Sequence, residues 1–154
     1  MYMKKVVFAI VGLLTSASCS RPTFSVQIEF AREENPSFQI ITIEDAYQSI
    51  VVSKNNMVLT LGVESCNSCT KLKTELADLA PRKGISLFYI DVSEITETEL
   101  TQLETITTFN DSLQTYKFAQ NKTLPATYVF AEETIIVAFS SQNIANLDAL
   151  IKVV

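Results

Sequence analysis

The chain has 154 residues and a formal net charge of −5, with three cysteines, three glycines and no histidine. This length argues for one domain with a sizeable core, and the negative charge speaks against a nucleic-acid partner. Without histidine the chain has no Ser–His or Cys–His nucleophile pair and no imidazole metal ligand. Three glycines are too few for a glycine-rich phosphate loop. The odd number of cysteines is the feature that remains to be explained.

Residues 1–19 have the pattern of an export signal. Lys4 and Lys5 precede an apolar run that is too short to cross a bilayer comfortably, and small residues then lead to Cys19. The segment resembles a bacterial lipoprotein signal, in which the cysteine is lipidated and holds the mature protein at the outer face of the membrane. Ser16 departs from that signal, which usually has leucine there. Ordinary cleavage near the cysteine, which gives a secreted protein, and an uncleaved membrane anchor remain as alternatives.

Residues 20–37 connect this signal to the rest of the chain. Apolar and polar side chains alternate from Phe24 to Phe30, which is the period of a β-strand, and a polar break follows. We therefore predict that the segment is either a tether that leads out of the membrane or an extra edge strand.

Residues 38–154 alternate predicted strands and helices, and βαβ units of this kind imply right-handed parallel crossovers. Two neighbouring strands near the end suggest a hairpin, which adds antiparallel pairing, although Glu132 and Glu133 are poor residues for a tight turn and favour a longer loop. The predicted elements are a strand at 38–43, a helix at 44–54, a buried strand at 57–61, a helix from 66 that ends at Pro81 and Gly84, a strand at 85–92, a helical stretch at 93–120 broken near 110–112, strands at 126–131 and 134–139, and a last helix from 140 or 141 that includes Ile151.

Cys66 and Cys69 lie three residues apart where a helix is predicted to begin, so they can close a small disulfide loop. A helix N-terminus stabilises a thiolate through its dipole and free N–H groups, which makes Cys66 the predicted nucleophile that attacks a substrate disulfide. Cys69, one turn inside the helix, is the predicted resolving thiol. Asn67 and Ser68 can donate hydrogen bonds to the thiolate and so tune the redox balance. This chemistry needs no small-molecule cofactor.

The CxxC loop, the long helix after it, a strand ending in Asp91 and the sequence Thr-Leu-Pro-Ala-Thr at 123–127 resemble the thioredoxin superfamily over residues 38–154. The resemblance implies a three-layer α/β/α fold with a central mixed sheet of four to five strands. It also implies that Pro125 is a cis proline facing the active disulfide. Leu124 would then border the substrate groove and pair through its backbone with an extended substrate segment.

Within that superfamily the chain looks most like the bacterial bacteriocin transport accessory proteins. The likeness rests on the helix at 44–54, the strand at 57–61, the Phe-Tyr-Ile-Asp strand at 88–91 and the long helical segment before Pro125. It implies that the substrates are cysteine-containing exported proteins or peptides, bacteriocins among them, and that a separate redox partner protein exchanges electrons with the chain.

Three departures from the thioredoxin pattern are informative. Thr60 stands where thioredoxin has a buried acid that assists proton transfer at the second cysteine, and Thr74 stands near the usual helix proline. Residues 94–110 look like a helical insertion. We expect this insertion to cap the active face, to bind a partner or simply to be a helix with a solvent-facing side.

Two hypotheses follow from different classes of protein. The leading one is an exported, membrane-tethered thiol–disulfide oxidoreductase whose direction of electron flow depends on its partner. The alternative is a non-catalytic accessory or binding protein of a secretion or bacteriocin export system, with a structural disulfide. A thiol-based carrier of a soft metal is a third interpretation, but a lone CxxC pair lacks the further ligands that a metal centre needs, so we predict no metal site.

Overall fold

The computed structural model of the chain describes residues 27–109, 123–139 and 144–154. The predicted export signal with Cys19, residues 20–26 of the predicted tether and the helix break near 110–112 lie outside these residues. The strands are β1 (Ile28–Phe30), β2 (Phe38–Ile40), β3 (Met57–Gly62), β4 (Leu87–Asp91), β5 (Ala126–Ala131), β6 (Thr134–Phe139) and β7 (Ile151–Val153). The helices are α1 (Ile43–Tyr47), which continues as a π-helical segment (Gln48–Val52), α2 (Asn67–Lys83), α3 (Glu97–Thr107) and α4 (Ile144–Leu150).

Five strands form the central sheet in the order β2-β4-β3-β5-β6. The first three run parallel, and β5 and β6 are antiparallel to their neighbours. All six residues of β3, Thr60 among them, are buried, as expected for a largely apolar strand in the centre of a sheet. The predicted mixed sheet of four to five strands is therefore confirmed.

Helices cover both faces of this sheet and give the predicted three layers. Alternate residues of β3 point to opposite faces, because side chains in a strand alternate. Val58 joins the core cluster beneath α2 and α4, whereas Leu59 joins the cluster beneath α1 and α3. Leu72, Leu76 and Leu79, the stripe that predicted α2, are buried in the first of these clusters.

Residues 97–107 of the predicted insertion form α3, which packs against α1. Thr96 caps the helix, with its hydroxyl accepting from Glu99 N at 3.2 Å. Leu103 and Ile106, which belong to α3, are buried. The helix therefore has one face in the core and one face toward solvent.

The segment before the central sheet pairs with the end of the chain. β1 runs parallel to β7 in a separate two-stranded sheet, with Ile28 opposite Ile151 and Phe30 opposite Val153. The prediction that the last helix includes Ile151 is wrong. Isoleucine and valine favour strands, and here the side chains of Ile28, Phe30 and Ile151 are all buried together in the α2/α4 cluster.

After β1 the chain docks at the C-terminal end of α2. Arg32 N donates to Val154 O at 3.1 Å, and Glu33 N donates to Gly84 O at 2.9 Å. The Glu33 carboxylate accepts from Ser86 N at 2.8 Å and from the Ser86 hydroxyl. This docked segment is therefore tied to the core by its backbone and by a side chain.

Helix α2 continues through Pro81 and ends at Lys83, so the prediction that Pro81 stops the helix is wrong. A proline in a helix removes one backbone hydrogen bond, and here it does so only one turn from the end. Gly84 is the C-cap that ends α2. Its φ of 87° is the left-handed conformation that glycine favours, and its N–H donates to Ala80 O at 2.9 Å.

The β5–β6 hairpin has a two-residue turn, and the expectation of a longer loop is wrong. Glu132 and Glu133 have φ values of 52° and 63°, the positive values that a type I′ turn requires at both positions. Contacts from the loop before β3 hold this turn. Lys54 Nζ lies 2.6 Å from Glu133 Oε2, and Glu132 N donates to Asn56 Oδ1 at 3.2 Å.

An ion-pair cluster joins α4 to the end of α2. Lys83 Nζ donates to Asp148 Oδ1 at 2.9 Å and to Asp148 O at 2.6 Å, and Arg82 lies 3.2 Å from Oδ2. Partial burial raises the pKa of Asp148, but the hydrogen bonds and charges of Lys83 and then Arg82 outweigh it and hold this pKa below its usual value of 3.8.

Replacing Asp148 by asparagine is expected to lower the free energy of unfolding at neutral pH by less than about 1 kcal/mol, because partly exposed ion pairs stabilise little. A carboxylate whose folded-state pKa is lowered stabilises the fold above its unfolded-state pKa, and this stabilisation is lost as the pH falls through the folded-state value. In urea unfolding, the difference between D148N and the wild type should therefore close in acid, below the usual value of 3.8. D78N, at an exposed position of α2, is the control. If the difference in unfolding free energy between D148N and the wild type persists in strong acid, the assignment of the lowered pKa to Asp148 is contradicted.

Candidate active site

The end of β3 leads directly into the start of α2. Gly62 is the last residue of β3, and Cys66 is the N-cap of α2, with extended φ and ψ of −99° and 111°. The Cys66 sulfur accepts from Cys69 N at 3.2 Å, and Cys66 O accepts from Thr70 N at 3.0 Å. Cys66 therefore occupies the position where free helix N–H groups stabilise negative charge.

A disulfide joins Cys66 to Cys69, with the two Cα atoms 5.2 Å apart. Their exposure differs: Cys66 is half-buried, whereas the relative exposure of Cys69 is 0%. An incoming thiolate reaches the Cys66 sulfur far more readily than the Cys69 sulfur. The geometry thus separates an accessible sulfur from a protected one.

Asn67 and Ser68 are the first two residues of α2. Asn67 is exposed and Ser68 is half-buried. Their backbone N–H groups belong to the first turn of the helix, whose N–H groups have no partner within the helix. They therefore contribute to the positive end of the α2 dipole beside Cys66.

The Leu124–Pro125 peptide bond is cis. Pro125 is buried and Leu124 is half-buried. The next residue, Ala126, begins β5 and pairs with Leu61, which directly precedes Gly62. The backbone before β5 and the loop before α2 consequently lie at the same edge of the sheet.

Two threonine hydroxyls are buried beneath this edge. Thr60 and Thr127 face each other on β3 and β5, and their hydroxyl oxygens are 2.9 Å apart. The position where the thioredoxin resemblance places an acid therefore holds a hydroxyl that is already hydrogen-bonded and does not ionise. Sequence reasoning singled out Thr60 but missed Thr127, which only the strand register identifies as its partner.

Tyr89 is a site residue that sequence reasoning missed. It lies on β4 opposite Thr60, it is 2% exposed, and its hydroxyl reaches Gly62. A Cβ on Gly62 would lie 2.0 Å from the Tyr89 oxygen and 3.0 Å from Cys69 Cβ, so the two side chains approach each other across this glycine.

The surroundings of Tyr89 favour its neutral form. Burial, followed by the negative charges of Asp91 and Glu64, raises the pKa of Tyr89 to about 12. Lys73 Nζ lies 5.4 Å from the centre of the ring, which is within the range of a cation–π contact. The hydroxyl of Tyr89 therefore keeps its proton at neutral pH.

In the part of the chain that the structure describes, no group of three or more acidic or cysteine side chains is arranged to hold a metal ion. Over the same residues, no helix is long and apolar enough to cross a membrane.

The fold is similar to that of solved thioredoxins. Thioredoxin O1 from Arabidopsis thaliana in the oxidized state matches with a TM-score of 0.52 at 10% identity, covering 74% of this chain and 94% of that chain. Thioredoxin O2 from the same plant gives a TM-score of 0.52 at 11% identity, and the match covers 73% of this chain and 90% of that chain. The chain has a thioredoxin fold. A chain from the complex of ferredoxin:thioredoxin reductase with thioredoxin f2 gives a TM-score of 0.53 at 8% identity, and the match covers 73% of this chain and 90% of that chain.

No family model and no curated protein matches the sequence. At these identities the solved structures establish the fold, and the CxxC disulfide is a feature of this chain itself. Together, the thioredoxin fold and the Cys66–Cys69 pair support a thiol–disulfide redox fold.

Gly62→Ala is expected to reduce the free energy of unfolding by about 1–3 kcal/mol, because its Cβ has no room beside Tyr89 and Cys69 and the core must shift. Urea unfolding of the oxidised protein measures the effect. The double variant G62A/Y89F removes the oxygen nearest to the new Cβ and should recover part of the loss. Equal stability of G62A and the wild type would contradict the close approach.

Proposed function

We propose that the protein is an exported thiol–disulfide oxidoreductase, tethered to the outer face of the membrane through a lipid on Cys19, that acts on cysteine-containing secreted proteins or peptides. The observation that carries the proposal is the Cys66–Cys69 disulfide at the N-terminus of α2, with one accessible and one fully buried cysteine. The cis Leu124–Pro125 bond at the same edge of the sheet adds to it.

The oxidised pair accepts two electrons in two exchange steps. A substrate thiolate attacks the Cys66 sulfur, the Cys66–Cys69 bond breaks, and Cys69 leaves as a thiolate that takes up a proton. A second substrate thiolate then attacks the substrate sulfur of this mixed disulfide. The substrate disulfide forms and Cys66 leaves as a thiolate, which the N-terminus of α2 stabilises.

The same steps in reverse reduce a substrate disulfide. Cys66 attacks first and forms the mixed disulfide, and Cys69 then attacks the Cys66 sulfur and releases the substrate as a dithiol. The direction follows the reduction potential of this pair relative to its redox partner protein, because exchange runs toward the couple with the higher potential. No small-molecule cofactor enters either direction.

The backbone on either side of the cis bond forms the proposed substrate groove. Pro125 has no N–H, and Leu124 before it is half-buried. By the thioredoxin likeness, the backbone of Leu124 is the group that pairs with an extended substrate segment. Pairing with an extended peptide would present the substrate sulfur to Cys66 and depend little on the substrate's side chains. This tolerance suits an enzyme for varied exported peptides, with bacteriocins as the substrate class that the family likeness suggests.

The position of β1 relative to the disulfide supports a membrane tether on the N-terminal side of β1. Gln27 Nε2 donates to Ala149 O at 3.5 Å, and Glu33 N donates to Gly84 O, so the β1 segment docks near the C-terminal end of α2. Cys66 is at the other end of this 17-residue helix, about 25 Å away at a rise of 1.5 Å per residue. A lipid anchor that precedes β1 would leave the disulfide accessible.

Cys69→Ala is expected to trap mixed disulfides between Cys66 and substrates, because the thiol that releases them is gone. Cells that express the variant are quenched with acid, thiols are alkylated, and adducts are resolved on non-reducing gels. C66A is the matched control and should trap none, since Cys69 is buried. Absence of adducts from C69A, together with a very negative reduction potential for the wild-type pair, would favour the alternative of an accessory binding protein with a structural disulfide.

Cys19→Ser is expected to release the protein from the membrane fraction of a bacterial host that processes lipoproteins. Cell fractionation and a mass measurement of the mature N-terminus check the outcome. C66S tests whether loss of a different cysteine has the same effect, and it should stay membrane-bound. A C19S protein that stays in the membrane at full length would indicate an uncleaved anchor and overturn the lipid assignment.

A further inference from the structure

The Tyr89 hydroxyl and the Cys69 side chain both lie close to the backbone of Gly62. The nearest atoms to a Cβ on Gly62 are the Tyr89 oxygen at 2.0 Å, the ring carbon that bears it at 2.8 Å and Cys69 Cβ at 3.0 Å. No Cβ is present at this position, so the hydroxyl and the Cys69 side chain approach each other across the space that a Cβ would fill.

The ring of Tyr89 has little freedom to leave this position. It is buried in the α2/α4 cluster, and its centre lies 6.2 Å from the ring of Phe38. Lys73, from the second turn of α2, lies over its face. The hydroxyl is therefore held in place beside Gly62 and Cys69.

Cys69 needs a hydrogen-bond donor when the disulfide opens. Its relative exposure is 0%, and burial disfavours a thiolate, which is the reactive form of the thiol. The hydroxyl of Thr60 is already paired with that of Thr127. The site thus lacks an acid at this position, while a second hydroxyl, that of Tyr89, approaches Cys69 from β4.

We propose that the Tyr89 hydroxyl donates a hydrogen bond to the Cys69 sulfur in the reduced protein and the mixed disulfide, and thereby stabilises the thiolate that performs the resolving step. This inference rests on the proposed oxidoreductase function. Tyr89 is a tuning residue in this scheme, because it acts on the reacting cysteine and does not touch the substrate.

The resolving step needs no proton from Tyr89, because solvent takes up and supplies the protons. The Cys69 thiol loses its proton to solvent, and its sulfur attacks the Cys66 sulfur of the mixed disulfide. The Cys66–Cys69 bond forms, the bond from Cys66 to the substrate breaks, and the substrate leaves as a thiolate that takes up a proton from solvent. Tyr89 keeps its proton throughout, as its raised pKa of about 12 permits.

Three charged groups act on Tyr89 beside Cys69. Lys73 on α2 lies over the ring, and Asp91 at the end of β4 and Glu64 before α2 raise the pKa of the hydroxyl. All three remain in a Tyr89→Phe variant, which removes only the hydroxyl and keeps the ring between Phe38 and Lys73. This substitution therefore isolates the hydrogen bond from the surrounding charge.

The test measures the pKa of the Cys69 thiol by ¹³Cβ NMR of the full-length C66A protein as a function of pH. In this C66A background, the Y89F substitution is expected to reduce the acid dissociation constant of the Cys69 thiol about tenfold, because the thiolate loses a hydrogen bond. Tyr47→Phe, in α1 on the other face of the sheet, is the matched control and should leave the constant unchanged. An unchanged Cys69 pKa in Y89F, with or without a lower melting temperature, overturns the inference.

The second readout is the decay of a mixed disulfide in the protein with both cysteines. A tenfold smaller thiolate fraction is partly offset by the greater nucleophilicity of a more basic thiolate, with a Brønsted slope of about 0.4–0.5, so Y89F should resolve about threefold more slowly at neutral pH. An unchanged rate counts against the inference. If the wild-type protein forms no mixed disulfide at all, the proposed function fails, and the NMR titration still decides the role of Tyr89.

A fluorinated tyrosine provides a test that does not depend on the folding of Y89F. 3-Fluorotyrosine at position 89 keeps the ring and the hydroxyl, and its more acidic phenol is a stronger donor. The acid dissociation constant of Cys69 should then rise above that of the C66A parent. A constant that stays the same or falls contradicts donation from Tyr89.

Discussion

The pairing of β3 with both of its neighbours positions every group at the site. Strand β3 is buried along its whole length between β4 and β5. The loop to Cys66 leaves from its end, the cis Leu124–Pro125 bond precedes the strand on one side, and Tyr89 lies on the strand on the other side. A one-residue slip of either pairing would turn Thr127 or Tyr89 to the opposite face of the sheet. The register is therefore as much a part of the site as the cysteines are.

The two cysteines differ because α2 begins at the surface and enters the core within one turn. Cys66 is the N-cap, where the helix supplies free N–H groups and solvent has access, and Cys69 is the first fully buried residue of the helix. A helix N-terminus favours the thiolate of Cys66, and burial disfavours that of Cys69. The first exchange step is thus favoured by the helix, and the second depends on what surrounds Cys69.

The largely apolar run of β3, in which Thr60 is the polar residue, and the leucine stripe of α2 are sufficient to predict the sheet centre and the helix above it, because burial on both faces or on one stripe leaves a clear pattern. The CxxC motif was equally visible, since its spacing is local. Tyr89 and Thr127 were not identified, because strand alternation says which face a side chain occupies and not which residue it meets across the sheet. The strand at 151–153 was missed because its partner, β1, lies at the other end of the chain.

The β1 segment, residues 28–33, is attached to the core of the domain. Ile28 and Phe30 are buried in the cluster that also holds Leu72 and Leu76 of α2, and burying a side chain of this size contributes roughly 1.5–3 kcal/mol. The Glu33 carboxylate and the backbone contacts to Gly84 add to this attachment. This attachment is therefore at the C-terminal end of α2, and Cys66 lies at the opposite end of that helix. The contacts that hold β1 are therefore separate from the register around β3, on which the disulfide depends.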